Sequence, residues 1–258
     1  MLEVIKALSA LTVLIKVKYT SRKRPKSVQN FSGQYPCYNL RGRSDVLRVG
    51  TGMVVWVQKY TESDNKGTCP CVKCQHSDTP SKVWGVVNVQ TARHVVFDAS
   101  EVRQSRCVVG YDDNKSPGVS LDGWDVMFHN INIEGDWYNF KCVSCDLELI
   151  EKLDTTRRHF QDLFLKVRDK YRRFALLGKL TVIVSHPHGC PKQVSVGQWT
   201  RKTVREAEYV KYNKYTYTTC TCPGSSGAVV FRPGYVGYSY HPHSGSNPEE
   251  NYSAEAQF

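Results

Sequence analysis

The sequence lacks any run of about 18 uncharged apolar residues, the length that a membrane-spanning helix requires. A transmembrane segment is therefore not predicted. Near the start, an apolar stretch has the length of a signal peptide core, but Glu3 stands where signal peptides are basic. No small-residue cleavage site precedes the basic cluster Arg22-Lys23-Arg24. A cleaved signal is therefore not expected.

Internal repeats are absent too, and acidic residues are scarcer than basic ones. There are 24 Asp and Glu against 35 Lys and Arg, which gives a net charge of +11. This charge favours acidic partners such as nucleic acid, anionic membrane or acidic proteins, without deciding among them. With 40% hydrophobic residues, the 258-residue chain has the composition of a globular protein with one large β domain or two smaller ones.

Ten cysteines are present, and most of them lie in short clusters. Such clusters are more typical of reduced thiols or metal ligands than of disulfides that connect loops, so they favour an intracellular location. One segment offers four zinc ligands within eight residues: Cys69, Cys71, Cys74 and His76. Cys142 or Cys145 could supply others. Surface thiols or a disulfide are the alternatives to a structural zinc ion.

Short β-rich runs separated by turn signals make up both halves of the sequence. Between Asp146 and Gly178 the pattern changes, because apolar residues recur at helical spacing without Pro or Gly. One or two helices are therefore predicted between two β-rich halves.

Three residues together indicate nucleophilic catalysis. His94 lies just after the β-rich run Val83 to Val89, Asp125 lies at the start of another strand, and Ser226 lies between glycines in Gly224-Ser225-Ser226-Gly227. A serine hydroxyl needs a base to remove its proton, and the base needs a carboxylate to orient it. The order His, Asp, Ser is that of the chymotrypsin class.

The surrounding residues resemble the motifs of trypsin-like serine peptidases. Thr91-Ala92-Arg93-His94 resembles Thr-Ala-Ala-His, Asp125-Val126-Met127-Phe128 resembles Asp-Ile-Ala-Leu, and the Ser226 segment resembles Gly-Asp-Ser-Gly-Gly-Pro-Val. The resemblance implies an all-β fold of two antiparallel β-barrels with a helical insertion between them. It also implies an oxyanion hole formed by the N–H groups of Gly224 and Ser226, an acyl-enzyme, a protein or peptide substrate and no required cofactor.

On this interpretation the chain has five regions. They are an N-terminal extension (1–30), a first β-barrel with a Cys-rich hairpin insertion (31–145), a helical linker (146–178), a second β-barrel (179–246) and a loose tail (247–258).

The sequence also departs from the family pattern. Ser225 replaces the aspartate before the nucleophile, and no Ile-Val-Gly-Gly start is present, so a constitutively shaped site is expected. The substrate pocket would include Cys220, Ser239, Tyr240 and His241. With no acid at Cys220, a preference for Arg or Lys is not predicted.

Two alternatives remain at the level of sequence. The chain could be an inactive peptidase-fold interaction module that keeps the residue types of the triad. It could also be a basic nucleic-acid-binding protein with a structural zinc ion, in which the basic stretch Arg157 to Arg173 contacts nucleic acid or an acidic partner.

Overall fold

The computed structural model describes residues 1–28, 33–127, 133–173, 179–207, 210–235 and 240–257. The helices are Leu2–Leu11 (α1), Val72–Gln75 (α2), Ala99–Val102 (α3) and Leu147–Tyr171 (α4). The strands are Thr12–Val17 (β1), Arg48–Tyr60 (β2), Trp84–Ala92 (β3), Ser105–Val109 (β4), Val119–Val126 (β5), Trp137–Ser144 (β6), Leu180–Ser185 (β7), Gln193–Ala207 (β8), Val210–Tyr217 (β9), Val230–Phe231 (β10), His243–Ser246 (β11), Asn251–Ser253 (β12) and Ala256–Gln257 (β13). None of the helices in these ranges is long and apolar enough to cross a membrane.

The first six strands form a closed antiparallel barrel in the order β1-β2-β3-β6-β5-β4. Strand β3 is buried along its whole length, because the barrel interior covers one face and other elements cover the second. Helix α4 supplies part of this cover. Its Ile150 lies so close to Gly85 that a Cβ at that glycine would be 2.6 Å from the Ile150 side chain.

The segment predicted as an N-terminal extension is instead part of the first barrel. Strand β1 pairs with β2 on one side and with β4 on the other, so it closes the barrel. Val13, Leu14 and Ile15 are fully buried there. The apolar stretch that has the length of a signal peptide core is therefore a helix followed by a core strand.

The predicted helix between the two β-rich halves is confirmed as α4. The Asp146 side chain caps it by accepting a hydrogen bond from the Leu149 N–H at 3.0 Å. Leu149, Leu153 and Phe160 recur at helical spacing and are buried against α1 and the first barrel.

The second β unit is a seven-stranded antiparallel sheet in which β10-β7-β8-β9-β12-β11 are neighbours and β13 also pairs with β9. The sheet curls until its two ends meet. Val230 N–H donates to His241 O at 2.8 Å, and His243 N–H donates to Ala228 O at 2.7 Å. The predicted architecture of two antiparallel β units with a helix between them is therefore confirmed.

The C-terminal tail, predicted to be loose, is ordered by this sheet. Strands β12 and β13 both pair with β9. Between them, Glu255 N–H donates to Gly135 O at 2.8 Å and so connects the tail to the first β unit. Backbone pairing explains this order, which the polar composition of the tail did not indicate.

Candidate active site

His94 lies in the turn after β3 and is held by Asp136. Its Nδ1 is 2.8 Å from Asp136 Oδ2, and its backbone N–H donates to Asp136 Oδ1 at 2.9 Å. The Asp136 side chain is 2% exposed, and Ser244 Oγ donates to Oδ2 at 2.5 Å. A buried carboxylate with these partners fixes the imidazole ring and favours the tautomer that carries its proton on Nδ1.

The carboxylate beside His94 is thus Asp136, and the prediction of Asp125 for this position is corrected. Strand pairing gives the reason. In β6, Trp137 is opposite Ala92 at the His94 end of β3, whereas Asp125 is opposite Lys141. Four residues along a strand span about 13 Å, which places Asp125 too far along the barrel.

Asp136 could have been found from the sequence by a different signal. It directly precedes the β-rich run that begins at Trp137 and follows Gly135, so it lies in the turn that enters a core strand. Its backbone has φ of 53°, in the left-handed region that Asp tolerates better than most residues. Asp125 was predicted instead because the residues that follow it resemble the Asp-Ile-Ala-Leu block of trypsin-like peptidases more closely than those after Asp136 do.

Ser226 lies in a loop whose two glycines pack closely against neighbouring segments, Gly227 against the first β unit and Gly224 against its own unit. Gly224 and Gly227 have φ of 98° and 88°. A Cβ at Gly227 would lie 2.0 Å from Thr91 Oγ1, and one at Gly224 would lie 2.6 Å from His186 O. A larger residue at either position would displace the loop.

The buried Thr51 of β2 fastens this loop to the first barrel. Thr51 N–H donates to Ser226 O at 2.8 Å, and its hydroxyl donates to Gly224 O at 2.8 Å. The loop is also held on its other side, because Gly227 N–H donates to His243 O at 2.8 Å, next to Ser244.

These contacts bring the Ser226 loop to the His94 and Asp136 pair. Gly227 packs on Thr91 and Ala92, just ahead of His94 in the chain, and Ser244 reaches Asp136 directly. A hydrogen bond from Ser226 Oγ to His94 is not among those the structure describes. In substrate-free enzymes this contact is often long and tightens when substrate binds.

The backbone amides around Ser226 divide into two groups. The Ser225 N–H donates to Cys222 O at 2.9 Å, and the Gly227 N–H donates to His243 O. The N–H groups of Gly224 and Ser226, predicted to form the oxyanion hole, donate to no backbone carbonyl within the described residues.

The residues of the predicted substrate pocket lie in different surroundings. Cys220 is exposed, and Ser239 lies outside the described residues. Tyr240 instead packs against Phe160 and Phe164 of α4. His241 is 1% exposed and bonds to Asn213 in the second β unit.

A cleft of about 470 Å³ lies instead beside Asp136 and β11. Its wall combines carboxylates, basic side chains and hydroxyl groups, including Arg201, Lys214, Glu255 and Ser246. Sequence reasoning missed it because β9, β11 and β12 form it jointly.

Three other histidines of the second β unit are buried and uncharged near neutral pH. Burial lowers the pKa of His186 to about 4 and that of His243 to about 3, and it also lowers the pKa of His241 well below the usual value. Their roles are structural. Tyr217 Oη, for example, lies 2.6 Å from His243 Nδ1.

A buried ion cluster supports the turn that carries His94. Glu101 of α3 accepts hydrogen bonds from Arg24 Nε at 2.6 Å and Arg48 Nη2 at 2.8 Å. Arg24 also donates to His94 O, and Arg48 donates to Val95 O, both at 3.0 Å. The cluster therefore connects the N-terminal segment and β2 to the histidine turn.

We expect Glu101→Gln to lower the free energy of unfolding by about 3 to 5 kcal/mol, because Arg24 and Arg48 both lose a buried counter-charge. Burial raises the pKa of Glu101, but the two arginines lower it more, so it falls below the usual 4.5. The stabilisation is complete above pH 4.5 and is lost as the pH falls through the lower folded-state pKa.

Urea unfolding at several pH values should therefore show a gap between wild type and Glu101→Gln that closes in acid. Glu151→Gln is the control, since it removes only an exposed pair with Lys59 and should cost less than about 1 kcal/mol. Equal losses in the two variants at neutral pH would contradict the prediction.

The basic stretch proposed to contact nucleic acid lies on α4 and is partly paired within the helix. Arg157 and Arg158 both contact Asp154, at 3.1 and 3.0 Å, and Arg168 contacts Asp169 at 2.8 Å. These pairs reduce the positive field along the helix, so the structure offers no support for a nucleic-acid surface here.

The predicted metal ligands are partly brought together. Cys69, Cys71 and Cys74 lie close to one another, and the fourth nearby ligand is Cys145. His76 is exposed at the end of α2 and does not belong to the cluster, which corrects the predicted ligand set. Cys145 directly follows β6, and antiparallel pairing of β6 with β3 brings it to the insertion.

The two β units thus contribute to one site. His94 and Asp136 come from the closed barrel, and Ser226 and Ser244 come from the curled sheet. The fold is chymotrypsin-like.

Solved structures of similar fold include several proteases. The chain is similar to the Rv3671c protease from M. tuberculosis in its active form, at 12% identity and a TM-score of 0.48, covering 98% of this chain and 79% of that one. The HtrA-type protease AlgW with decapeptide is 10% identical with a TM-score of 0.48, and the match covers 97% of this chain and 62% of that one, so this chain spans less than two thirds of AlgW. Deg5 is 12% identical with a TM-score of 0.45, and the match covers 98% of this chain and 87% of that one. No protein-family model and no curated protein matches the sequence.

Proposed function

We propose that this chain is a serine endopeptidase whose triad is His94, Asp136 and Ser226. The observation that carries the proposal is the His94 to Asp136 pair with the Ser226 loop packed against the same end of β3. A base oriented by a buried carboxylate, next to a serine between two left-handed glycines, is the arrangement that nucleophilic acyl transfer requires.

In the proposed reaction Ser226 Oγ attacks the carbonyl carbon of the substrate while His94 Nε2 takes the hydroxyl proton. Asp136 stabilises the resulting imidazolium, and Ser244 and the His94 N–H hold the carboxylate in place. The N–H groups of Gly224 and Ser226 donate to the oxyanion, each worth roughly 3 kcal/mol of barrier lowering. His94 then protonates the leaving amine, and a water molecule activated by His94 hydrolyses the acyl-enzyme.

The Ser226 loop is shaped by contacts within the protein. The Ser225 side chain, at the position of the family's aspartate, is 3.1 Å from Ser185 Oγ and accepts from the Cys222 N–H at 3.3 Å. Ser225 is 1% exposed, so these bonds form in the interior. They support the proposal that the site is formed without an activating ion pair.

Labelling with a fluorophosphonate probe tests this function. We expect one covalent adduct per chain, located at Ser226 by peptide mass spectrometry, because only an activated serine attacks the probe at a useful rate. Ser226→Ala should abolish the adduct, whereas Ser120→Ala, which changes an exposed serine on β5, should keep it. Heat-unfolded protein should not react.

An intact protein that is not labelled, or that is labelled equally after Ser226→Ala, would contradict the proposal. That outcome would favour the inactive interaction module, in which the fold is kept and the serine is not activated.

A further inference from the structure

A cluster of four cysteines lies on the first barrel, at the opposite end of β3 from His94. The Sγ atoms of Cys69, Cys71, Cys74 and Cys145 all lie within 4.8 Å of one another. Cys69 and Cys71 flank a proline, Cys74 lies on α2, and Cys145 directly follows β6. The first three belong to the insertion between β2 and β3, and the fourth belongs to the barrel.

The spacing of the sulfur atoms fits a tetrahedral metal centre. With Zn–S bonds of about 2.3 Å, sulfur atoms at the corners of a tetrahedron are about 3.8 Å apart. The Sγ atoms of Cys71 and Cys145 are 3.8 Å apart, almost twice the length of a disulfide bond.

The insertion has no other core. Between residues 61 and 83 the buried residues are the three cysteines alone, and most of the rest are exposed. The cysteines pack with Trp84 and Val143 of the barrel. A polar segment of this size gains little from hydrophobic burial, so it needs a covalent or metal connection to keep one conformation.

We propose that Cys69, Cys71, Cys74 and Cys145 bind one structural zinc ion. Four thiolates in tetrahedral geometry select zinc or iron, and a complete set of protein ligands leaves no position for water or substrate. The ion would fasten the insertion to the end of β6, where α4 begins. Since it would hold one end of the β3 and β6 pair, and His94 and Asp136 lie at the other, its effect on catalysis would be indirect.

Metal analysis of the full-length chain purified under reducing conditions tests the proposal. We expect elemental mass spectrometry to find one zinc ion per chain. We also expect the Tm of the protein to fall when a chelator removes the ion. Cys145→Ser should lose most of the zinc. His76→Ala and Cys190→Ser, which change an exposed histidine and an exposed cysteine outside the cluster, should keep it.

Cobalt substitution keeps the proposal testable if Cys145→Ser does not fold. The wild-type chain loaded with Co²⁺ should show the absorption of a tetrahedral tetrathiolate centre, and His76→Ala should show the same spectrum. Three results would each overturn the proposal. The first is a chain that contains no metal and takes up none when reduced, the second is iron in place of zinc, and the third is a disulfide among the four cysteines. None of these readouts depends on peptidase activity.

Discussion

Ser226→Ala should lower kcat for peptide hydrolysis by about 10⁶-fold, the loss typical of removing the nucleophile from a serine peptidase triad. The neighbouring Ser225 hydroxyl is not placed to replace that of Ser226, because it is buried and bonded to Ser185 and Cys222. The residual rate would come from substrate binding and the oxyanion donors. Hydrolysis of casein and any cleavage of the chain by itself should both stop.

The same variant should unfold at the wild-type temperature. Ser226 contributes its backbone carbonyl, not its hydroxyl, to the bond with Thr51, so truncation to alanine keeps that contact. A loss of activity that comes with a lower Tm would therefore point to misfolding. Activity that persists in Ser226→Ala, with Ser120→Ala as the matched control, would show that another group or another protein performs the hydrolysis.

Local sequence patterns predicted the β-rich halves, the helix between them and the neighbourhood of Ser226. These features depend on periodicity and on glycine spacing, which are properties of short segments. The Ser226 loop, for example, is recognisable because Gly224 and Gly227 both adopt positive φ angles, which lets Gly227 pack against β2 and β3 and Gly224 pack against the segment after β7.

Features that depend on pairing between distant segments were harder to predict. Strand β1 was interpreted as an extension because only its pairing with β2 and β4 shows that it closes the barrel. The polar tail likewise forms strands because β9 offers an edge. In the cysteine cluster, spacing along the chain placed His76 in the predicted ligand set and left Cys145 as one of two further candidates. Cys145 lies 74 residues beyond Cys71 in the chain but 3.8 Å from it in space, measured between the Sγ atoms.

The acid of the triad is the most consequential of these cases. Asp125 lies near the end of β5 and Asp136 lies just before β6, and the local pattern favours Asp125 because its segment resembles a family block. The register of β6 decides for Asp136, because β6 pairs with both β3 and β5 and thereby places Asp136 at the His94 end and Asp125 beside Lys141.

Asp136→Asn should therefore lower kcat by about 10⁴-fold with little change in KM. The amide oxygen can still accept from the His94 N–H, but its NH2 group then takes the place of Oδ2 and cannot accept from Ser244 or from His94 Nδ1. The amide therefore disfavours the tautomer with the proton on Nδ1 and cannot stabilise the imidazolium. Asp125→Asn makes the same chemical change at a strand end that does not contact His94, so kcat should stay at the wild-type value.

Steady-state kinetics on the two variants, with Tm measured for each, distinguishes the two acids. A loss confined to kcat indicates a role in the transition state, because substrate binding does not use the carboxylate. If Asp125→Asn lost activity and Asp136→Asn kept it, Asp125 would be the acid of the triad. If both variants lost activity equally at unchanged Tm, orientation of His94 by one buried carboxylate would not explain catalysis.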